Sequence, residues 1–126
     1  MDGVADTSIF ISQENAARLP ELPVDLAVSV MTIAELHLGV LMAGSDADRA
    51  RRLQTVAGVE ATFDALPVDL AVARRYAAIG QEARRLGCKP KVIDLIIAAT
   101  ASTRDVPVYT RDRDFERIPG VEVVIV

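Results

Sequence analysis

Residues 1–8 of the chain read MDGVADTS, and the rest of the sequence is organised around them. Gly3-Val4-Ala5 is small and apolar, which predicts a buried strand that ends on Asp6. Apolar residues resume at Ile9, so the strand turns at once into a helix. A carboxylate in that position lies at the sheet edge where open α/β folds bind ligands. Asp is also a favoured helix N-cap, and capping alone is the simpler interpretation of Asp6.

The composition is that of a single globular domain covering residues 1–126. Apolar residues make up 51% of the chain and charged residues 25%, and the longest apolar stretches fall short of the ~18 residues that a membrane span needs. The acidic N-terminus does not resemble a signal peptide. The one cysteine, Cys88, permits no internal disulfide. We therefore expect a cytoplasmic protein without a membrane segment.

The net charge of −4, from 14 Lys and Arg against 18 Asp and Glu, argues against nucleic-acid binding through bulk charge. The acidic residues assigned to one site below account for that excess. The arginines, by contrast, are clustered, for example at 49–52, 84–85 and 111–117. Such clusters are usually solvated helix faces, so they permit a nucleic-acid role without requiring it.

Hydrophobic periodicity predicts the element order β-α-β-αα-β-α-α-β-β. Strands are expected at 3–5, 25–29, 61–66, 106–109 and 121–126. Helices are expected at 8–14, from about 30 to a stop at Gly44, at 46–57, from a cap at Asp69 to Gly87, and at 92–103. The pair before residue 58 should form a helical hairpin that projects from the body. This alternation predicts a three-layer α/β/α sandwich with a mostly parallel central sheet of 4–5 strands. Right-handed crossovers bring its strand-to-helix junctions to one edge.

Several carboxylates besides Asp6 stand out, and each has a purely structural interpretation. Glu35 follows Thr32 by three residues, which is the spacing of a capping box. Asp94 interrupts an apolar run where a first-turn acid would favourably meet a helix dipole. Asp112 and Asp114 alternate with arginines and could be turn residues.

These structural interpretations do not explain why the carboxylates share one edge of the predicted sheet. Asp6 and Asp112 follow strands, while Glu35 and Asp94 open helices of neighbouring units. Carboxylates gathered in one place repel one another unless a cation lies between them. Oxygen ligands without His or Cys favour hard ions such as Mg²⁺ or Mn²⁺. The pattern therefore predicts a divalent-metal site.

Four segments carry a resemblance to a known family. They read DTS (6–8), TIAELHLG (32–39), DLIIAATA (94–101) and TRDRDF (110–115). In this order and approximate spacing they resemble the PIN-domain ribonucleases, and in particular the VapC-like toxins of bacterial toxin–antitoxin pairs. The resemblance runs from the first strand to the last. It implies a PIN-like fold and a Mg²⁺- or Mn²⁺-dependent endoribonuclease that holds one or two ions.

The resemblance also assigns roles to individual residues. It implies a catalytic set of Asp6, Glu35, Asp94 and Asp112, and metal ligands among Asp6, Asp94, Asp112 and Asp114. Thr7 and Thr110 match hydroxyl positions beside the metal. The chain departs from the family at Ile93, where many relatives carry Asn. Many relatives also have Asn at the position of Asp112, so either Asp112 or Asp114 is the direct ligand.

The chemistry of the sequence limits the mechanism. The single histidine, His37, excludes a two-histidine ribonuclease mechanism, and no Gly-rich phosphate loop or nucleophile triad is present. Metal-activated water is the remaining attacking group, and it would leave 5′-phosphate and 3′-hydroxyl ends. Arg111 and Arg113 are candidate contacts to the RNA backbone, which favours a structured RNA. The resemblance implies tRNA or rRNA as the substrate.

The family further implies a cognate antitoxin and a homodimer. Apolar residues at 9, 10, 19, 36, 41 and 42 are candidates for those interfaces, and packing in the core is the alternative. Three other functions are considered: a non-catalytic PIN-like module that binds RNA or protein, a phosphatase and a DNA nuclease. The phosphatase would need an acid where this chain has Ser8. A DNA nuclease would need gripping elements for which 126 residues leave little room.

Overall fold

The computed structural model describes residues 1–15 and 21–126. In these ranges the strands are β1 (Gly3–Ala5), β2 (Leu26–Ser29), β3 (Ala65–Leu66), β4 (Val108–Thr110) and β5 (Val123–Ile125). The helices are α1 (Thr7–Glu14), α2 (Val30–Leu41), α3 (Asp46–Thr62), α4 (Leu70–Arg85) and α5 (Val92–Thr103), and a short 3₁₀ helix covers Arg113–Arg117.

The strands form one sheet in the order β3-β2-β1-β4-β5, with every neighbouring pair parallel. Val4 of β1 pairs with Ala27 of β2 on one side and with Val108 of β4 on the other. The strand order therefore reverses between β1 and β4, and ligands bind outside the carboxyl ends of the strands at such a switch point. The predicted parallel sheet is confirmed.

Helices cover both faces of the sheet, which confirms the three-layer architecture. On one face, α4 and α5 pack through Val72, Ile79 and Ile97 against β1 and β4. On the other, α1, α2 and α3 contribute Ile9, Leu36 and Val56 to a second cluster. Each such side chain contributes about 1.5–3 kcal/mol when it is fully buried. The two cores hold β1 and β4 rigidly, so the ends of these strands are well-defined positions for a site.

The predicted start of α4 and the predicted bounds of α5 are confirmed. The Asp69 side chain caps α4 by accepting a hydrogen bond from the backbone N–H of Val72 at 2.9 Å. After Arg85 the chain leaves the helix and reaches Gly87, whose φ of +81° lies in the left-handed region that favours glycine. The chain then enters α5, and the predicted bounds of that helix, 92–103, are confirmed.

The hairpin of α2 and α3 differs from the prediction in two ways. α3 continues through Gly58 to Thr62, so the predicted strand at 61–66 is wrong except for its last two residues. The hairpin also packs on the body instead of projecting, because Val56 and Val59 are buried in the same core as Ile9. This burial outweighs the local cost of a helical glycine, which is about 1 kcal/mol.

The apolar residues proposed as interface candidates separate into two groups. Ile9, Phe10 and Leu36 belong to the core, so for them the packing alternative is correct. Leu41 and Met42 are 75% and 73% exposed at the end of α2, and position 19 lies outside the described residues. No helix within residues 1–15 and 21–126 is long and apolar enough to cross a bilayer.

Candidate active site

Asp6 lies at the carboxyl end of β1, at the switch point, and is only 4% exposed. Its Oδ2 accepts a 2.8 Å hydrogen bond from the Thr110 hydroxyl at the end of β4 and a 3.3 Å bond from the backbone N–H of Ser8. The second bond makes Asp6 the N-cap of α1, so the capping interpretation is confirmed. Asp6 therefore caps α1 and also lies at the sheet edge. The hydrogen bonds from Thr110 and Ser8 offset the cost of burying its carboxylate.

Glu35 is connected to the same edge through hydroxyl groups. The Thr7 hydroxyl donates to Glu35 Oε1 at 2.7 Å and lies 3.1 Å from the Thr32 hydroxyl. The capping-box interpretation of Glu35 is wrong, because Ser29 caps α2 and Thr32 lies inside the helix, fully buried. Thr7 and Thr32 therefore orient the Glu35 carboxylate instead of ending a helix.

Asp94 has the most strongly perturbed environment of the carboxylates. Its pKa is raised from 3.8 to about 6, chiefly because burial disfavours the charged form. The negative charges of Asp6 and Asp112, and to a smaller extent Glu35, raise it further, while Lys91 opposes them. Asp94 is in the first turn of α5, next to β1 and β4. Four carboxylates predicted from distant parts of the sequence therefore lie close enough for their charges to interact.

The segment after β4 supplies the remaining predicted residues. Asp112 caps the 3₁₀ helix by accepting from the backbone N–H of Asp114 at 2.9 Å, which agrees with its turn interpretation. Asp114 is exposed and shares the wall of a small cavity with Asp94. The Arg111 backbone N–H donates to the Ser8 hydroxyl, and the Arg113 guanidinium donates to Glu116 at 2.7 Å. Both arginines are exposed.

The donor chemistry of this edge fits a hard divalent cation. Its polar groups are carboxylate and hydroxyl oxygens, and burial together with the charges of Asp6 and Asp112 raises the pKa of Asp94. In the described ranges, however, no three His, Cys, Asp or Glu side chains converge closely enough to form a finished metal-ligand set. Asp6 and Glu35 instead accept hydrogen bonds from Thr110 and Thr7. The ligand assignment of individual carboxylates stays a prediction.

Sequence reasoning assigned no site role to two residues that matter here. Ser8 joins the ends of β1 and β4, since its hydroxyl lies 3.2 Å from that of Thr110 and accepts from the Arg111 N–H. Its position directly after Asp6 and Thr7, at the end of the first strand, could have indicated this role. Lys91, the N-cap residue of α5, acts on Asp94 through its charge, and its place three residues before Asp94 could have indicated this.

The single histidine is outside the site. His37 is exposed on α2, and its Nε2 lies 2.5 Å from Glu60 Oε1 on α3. Glu35 lies two positions earlier on the same helix, which is about 200° away around its axis. His37 therefore takes no part in the carboxylate site.

Comparison with known proteins agrees with this geometry. The model of the PIN domain family matches residues 4–121. A ribonuclease from Mycobacterium tuberculosis named VapC5 is 41% identical over 124 residues, which cover 97% of this chain and 91% of the relative. A Salmonella typhimurium protein named tRNA(fMet)-specific endonuclease VapC is 31% identical, over 94% of this chain and 91% of the relative.

Solved structures show the same likeness in three dimensions. One chain in the crystal structure of VapBC-5, a member of the VapBC family of toxin–antitoxin systems from Mycobacterium tuberculosis, superposes with a TM-score of 0.86. It is 40% identical, and the match covers 99% of this chain and 98% of that one.

Proposed function

This chain belongs to the PIN domain family, and from that premise we propose that it is the ribonuclease toxin of a toxin–antitoxin pair, dependent on Mg²⁺ or Mn²⁺. Its substrate in this proposal is a structured RNA, tRNA or rRNA, cleaved in the cytoplasm. The observation that carries the proposal is the gathering of Asp6, Glu35, Asp94 and Asp112 at the sheet's switch point, where burial and the neighbouring charges raise the pKa of Asp94. Acidic groups perturbed in this way by burial and one another are typical of functional sites.

In this proposal the carboxylates have two kinds of role. Asp6, Asp94 and Asp112, with Asp114 as accessory, would hold one or two ions. A bound divalent ion lowers the pKa of a water molecule and neutralises charge on a phosphate. Glu35 accepts a hydrogen bond from Thr7 at one oxygen, and its other oxygen would accept a proton from the attacking water.

The hydroxyl groups keep the carboxylates in place during the reaction. Thr110 orients Asp6 by its 2.8 Å hydrogen bond. The Ser8 hydroxyl contacts the Thr110 hydroxyl and accepts from the backbone N–H of Arg111, at the start of the next loop. Since the reacting group is water and not a ribose hydroxyl, the products are a 5′-phosphate and a 3′-hydroxyl. Arg111 and Arg113 contact RNA phosphates beside the site in this scheme.

The partners follow from the same premise. A VapBC-type relative of known structure belongs to a toxin–antitoxin system, and we extend to this chain both a cognate antitoxin and a homodimer. The exposed side chains of Leu38, Leu41, Met42 and Leu53 on α2 and α3 are the apolar surface most suited to an antitoxin segment.

The test is cleavage of total cellular RNA by the purified toxin with Mg²⁺ or Mn²⁺, followed by analysis of the product ends. We expect metal-dependent cleavage, 5′-phosphate ends and loss of activity in Asp94→Asn. Glu122→Gln, an exposed carboxylate at the far end of the sheet from the site, is the matched control and should cleave normally. Products that end in a 2′,3′-cyclic phosphate would contradict the mechanism.

A non-catalytic PIN-like module that binds RNA or protein is the second candidate. The observation in its favour is that no finished metal-ligand set forms within residues 1–15 and 21–126. The two functions separate in a thermal melt, since a metal-binding enzyme is stabilised by Mg²⁺ and a module without a metal site is not.

A further inference from the structure

A cavity of about 300 Å³ lies between α1, α2 and α3 and adjoins the carboxylate site at Thr7 and Glu35. The residues that matter in its wall are Thr7, Ile11, Glu14, Glu35, Leu36 and Arg51. Its size is at the lower end of the range for ligand pockets, about 300–1,000 Å³, so it has room for one small planar group.

The cavity begins at the site because α1 connects the two. Thr7, Ile11 and Glu14 recur at spacings of four and three residues, so they lie on one face of this helix. Thr7 donates a hydrogen bond to Glu35, one of the site carboxylates. Seven residues of helix separate Thr7 from Glu14, which places Glu14 about 10 Å along the axis from the site. One nucleotide of RNA can cover that distance.

Glu14 is the unusual group in the cavity. Its side chain is only 9% exposed, and Oε1 has no hydrogen-bond partner within residues 1–15 and 21–126. Among residues 1–15 and 21–126, the cation nearest to this oxygen is Arg51, whose Nε lies 3.9 Å away, beyond hydrogen-bond range, while its Nη2 donates to Asp48 at 2.9 Å. Burying a carboxylate oxygen without a hydrogen-bond donor is destabilising, so such groups call for an explanation. An N–H group of a ligand bound in the cavity would supply the missing hydrogen-bond donor to Glu14.

We propose that this cavity binds a guanine base of the RNA substrate, next to the cleaved phosphate, with the Glu14 carboxylate accepting hydrogen bonds from the N1 and N2 positions of the base. This inference rests on the proposed ribonuclease activity. Guanine is the one RNA base whose Watson–Crick edge carries two adjacent N–H donors, which match the two oxygens of a carboxylate. Ile11 and Leu36 supply apolar contacts for the faces of the ring. Unstacked bases of RNA loops are recognised in this way, by their edges and faces together.

The first experiment maps the sequence around the cleavage sites. Total RNA or a randomised RNA library is cut by the wild-type protein, by Glu14→Gln and by the control Glu122→Gln, and the product ends are sequenced. We expect guanine at a fixed position beside the cut with wild type and with the control. Glu14→Gln, which replaces one acceptor oxygen by a donor, should reduce that preference about tenfold while cleavage continues. Identical base preferences for wild type and Glu14→Gln, or no guanine preference in the wild type, would overturn the proposal.

The second experiment does not depend on cleavage or on a variant. The wild-type protein is titrated with 5′-GMP, AMP, CMP and UMP, and the NMR signal of the Ile11 methyl groups is followed. GMP should shift this signal at a concentration about tenfold lower than AMP does, and absence of any shift would overturn the proposal. If RNA is not cut but GMP binds, the proposed function fails and the guanine site stands. If Glu14→Gln keeps the base preference and instead weakens binding of the antitoxin, the cavity takes a protein side chain and the base proposal is wrong.

Discussion

Replacing Asp94 by Asn should make the metal-free protein more stable at neutral pH while it abolishes cleavage. The pKa of Asp94 is raised from 3.8 to about 6, so the folded state penalises its charged form. Because the folded pKa lies above the unfolded one, the stabilisation linked to this group is present below about pH 4 and is lost as pH rises through about 6. Asn has no charge at any pH, so the Asp94→Asn protein does not lose this stability as the pH rises.

The magnitude follows from the size of the pKa change. Each pKa unit corresponds to about 1.4 kcal/mol. The rise in the pKa of Asp94 from 3.8 to about 6 therefore gives about 3 kcal/mol as an upper value for the change in the free energy of unfolding. Asp94 is half-buried and water screens part of the repulsion, so we expect a gain of about 1–2 kcal/mol at pH 7.5. For a chain of this length that raises the melting temperature by about 3–8 °C.

The assay is thermal unfolding followed by circular dichroism in the presence of EDTA, at pH values from about 3.5 to about 7.5. The difference between Asp94→Asn and wild type should be near zero at the acid end and largest at the neutral end. Asp64→Asn, which changes the same charge at an exposed position, should show no such trend. Saturating Mg²⁺, at about 100 times its Kd, should add about 2.7 kcal/mol to the wild type and much less to Asp94→Asn. Equal or lower stability of Asp94→Asn at neutral pH would refute the reasoning that burial and the neighbouring carboxylates penalise a charged Asp94 in the fold.

Three other substitutions test particular contacts. Thr110→Val removes the hydroxyl that donates to Asp6 at 2.8 Å, so it should lower the free energy of unfolding by about 1–3 kcal/mol and slow RNA cleavage, measured by urea unfolding and product formation. Asp69→Ala removes the side chain that caps α4 through the backbone N–H of Val72, so it should lower stability by about 1 kcal/mol with cleavage unchanged; a loss of cleavage would contradict a purely structural role for this cap. Gly3→Ala places a Cβ 2.6 Å from the ring of Tyr109, so β1 must shift, with a stability loss of about 1–3 kcal/mol in the same unfolding assay; unaltered stability would count against this close packing.

The central strands and the site carboxylates were predictable because their signals are local. Gly3-Val4-Ala5 followed by Asp6 predicts a buried strand and a charged end, and the parallel pairing of β1 with β2 and β4 bears this out. α5 was found at its observed bounds because an apolar run between a loop and a polar segment has few alternatives. The interaction of Asp94 with the charges of distant residues then followed from the topology alone.

The prediction failed where a distant contact overrides a local signal. Gly58 reads as a helix end, yet α3 passes through it because Val56 and Val59 on either side reach the core beside α1. Thr32 reads as a cap for Glu35, yet it lies inside α2, where its hydroxyl meets Thr7. In both cases the deciding partner is separated by 25 residues or more in sequence, which a local pattern does not encode.

The sequence by itself determined the order of the elements, the parallel sheet and the identity of the acids at its edge, because strand ends and helix starts carry their own residue signals. Only the tertiary structure decided which hydroxyls orient those acids and that α3 folds back on α1. It also decided that one carboxylate oxygen of Glu14, Oε1, is buried without a hydrogen-bond partner within the described ranges. The physical reason is the same throughout: backbone periodicity is written in neighbouring residues, whereas burial and charge interactions depend on groups that only the folded chain brings together.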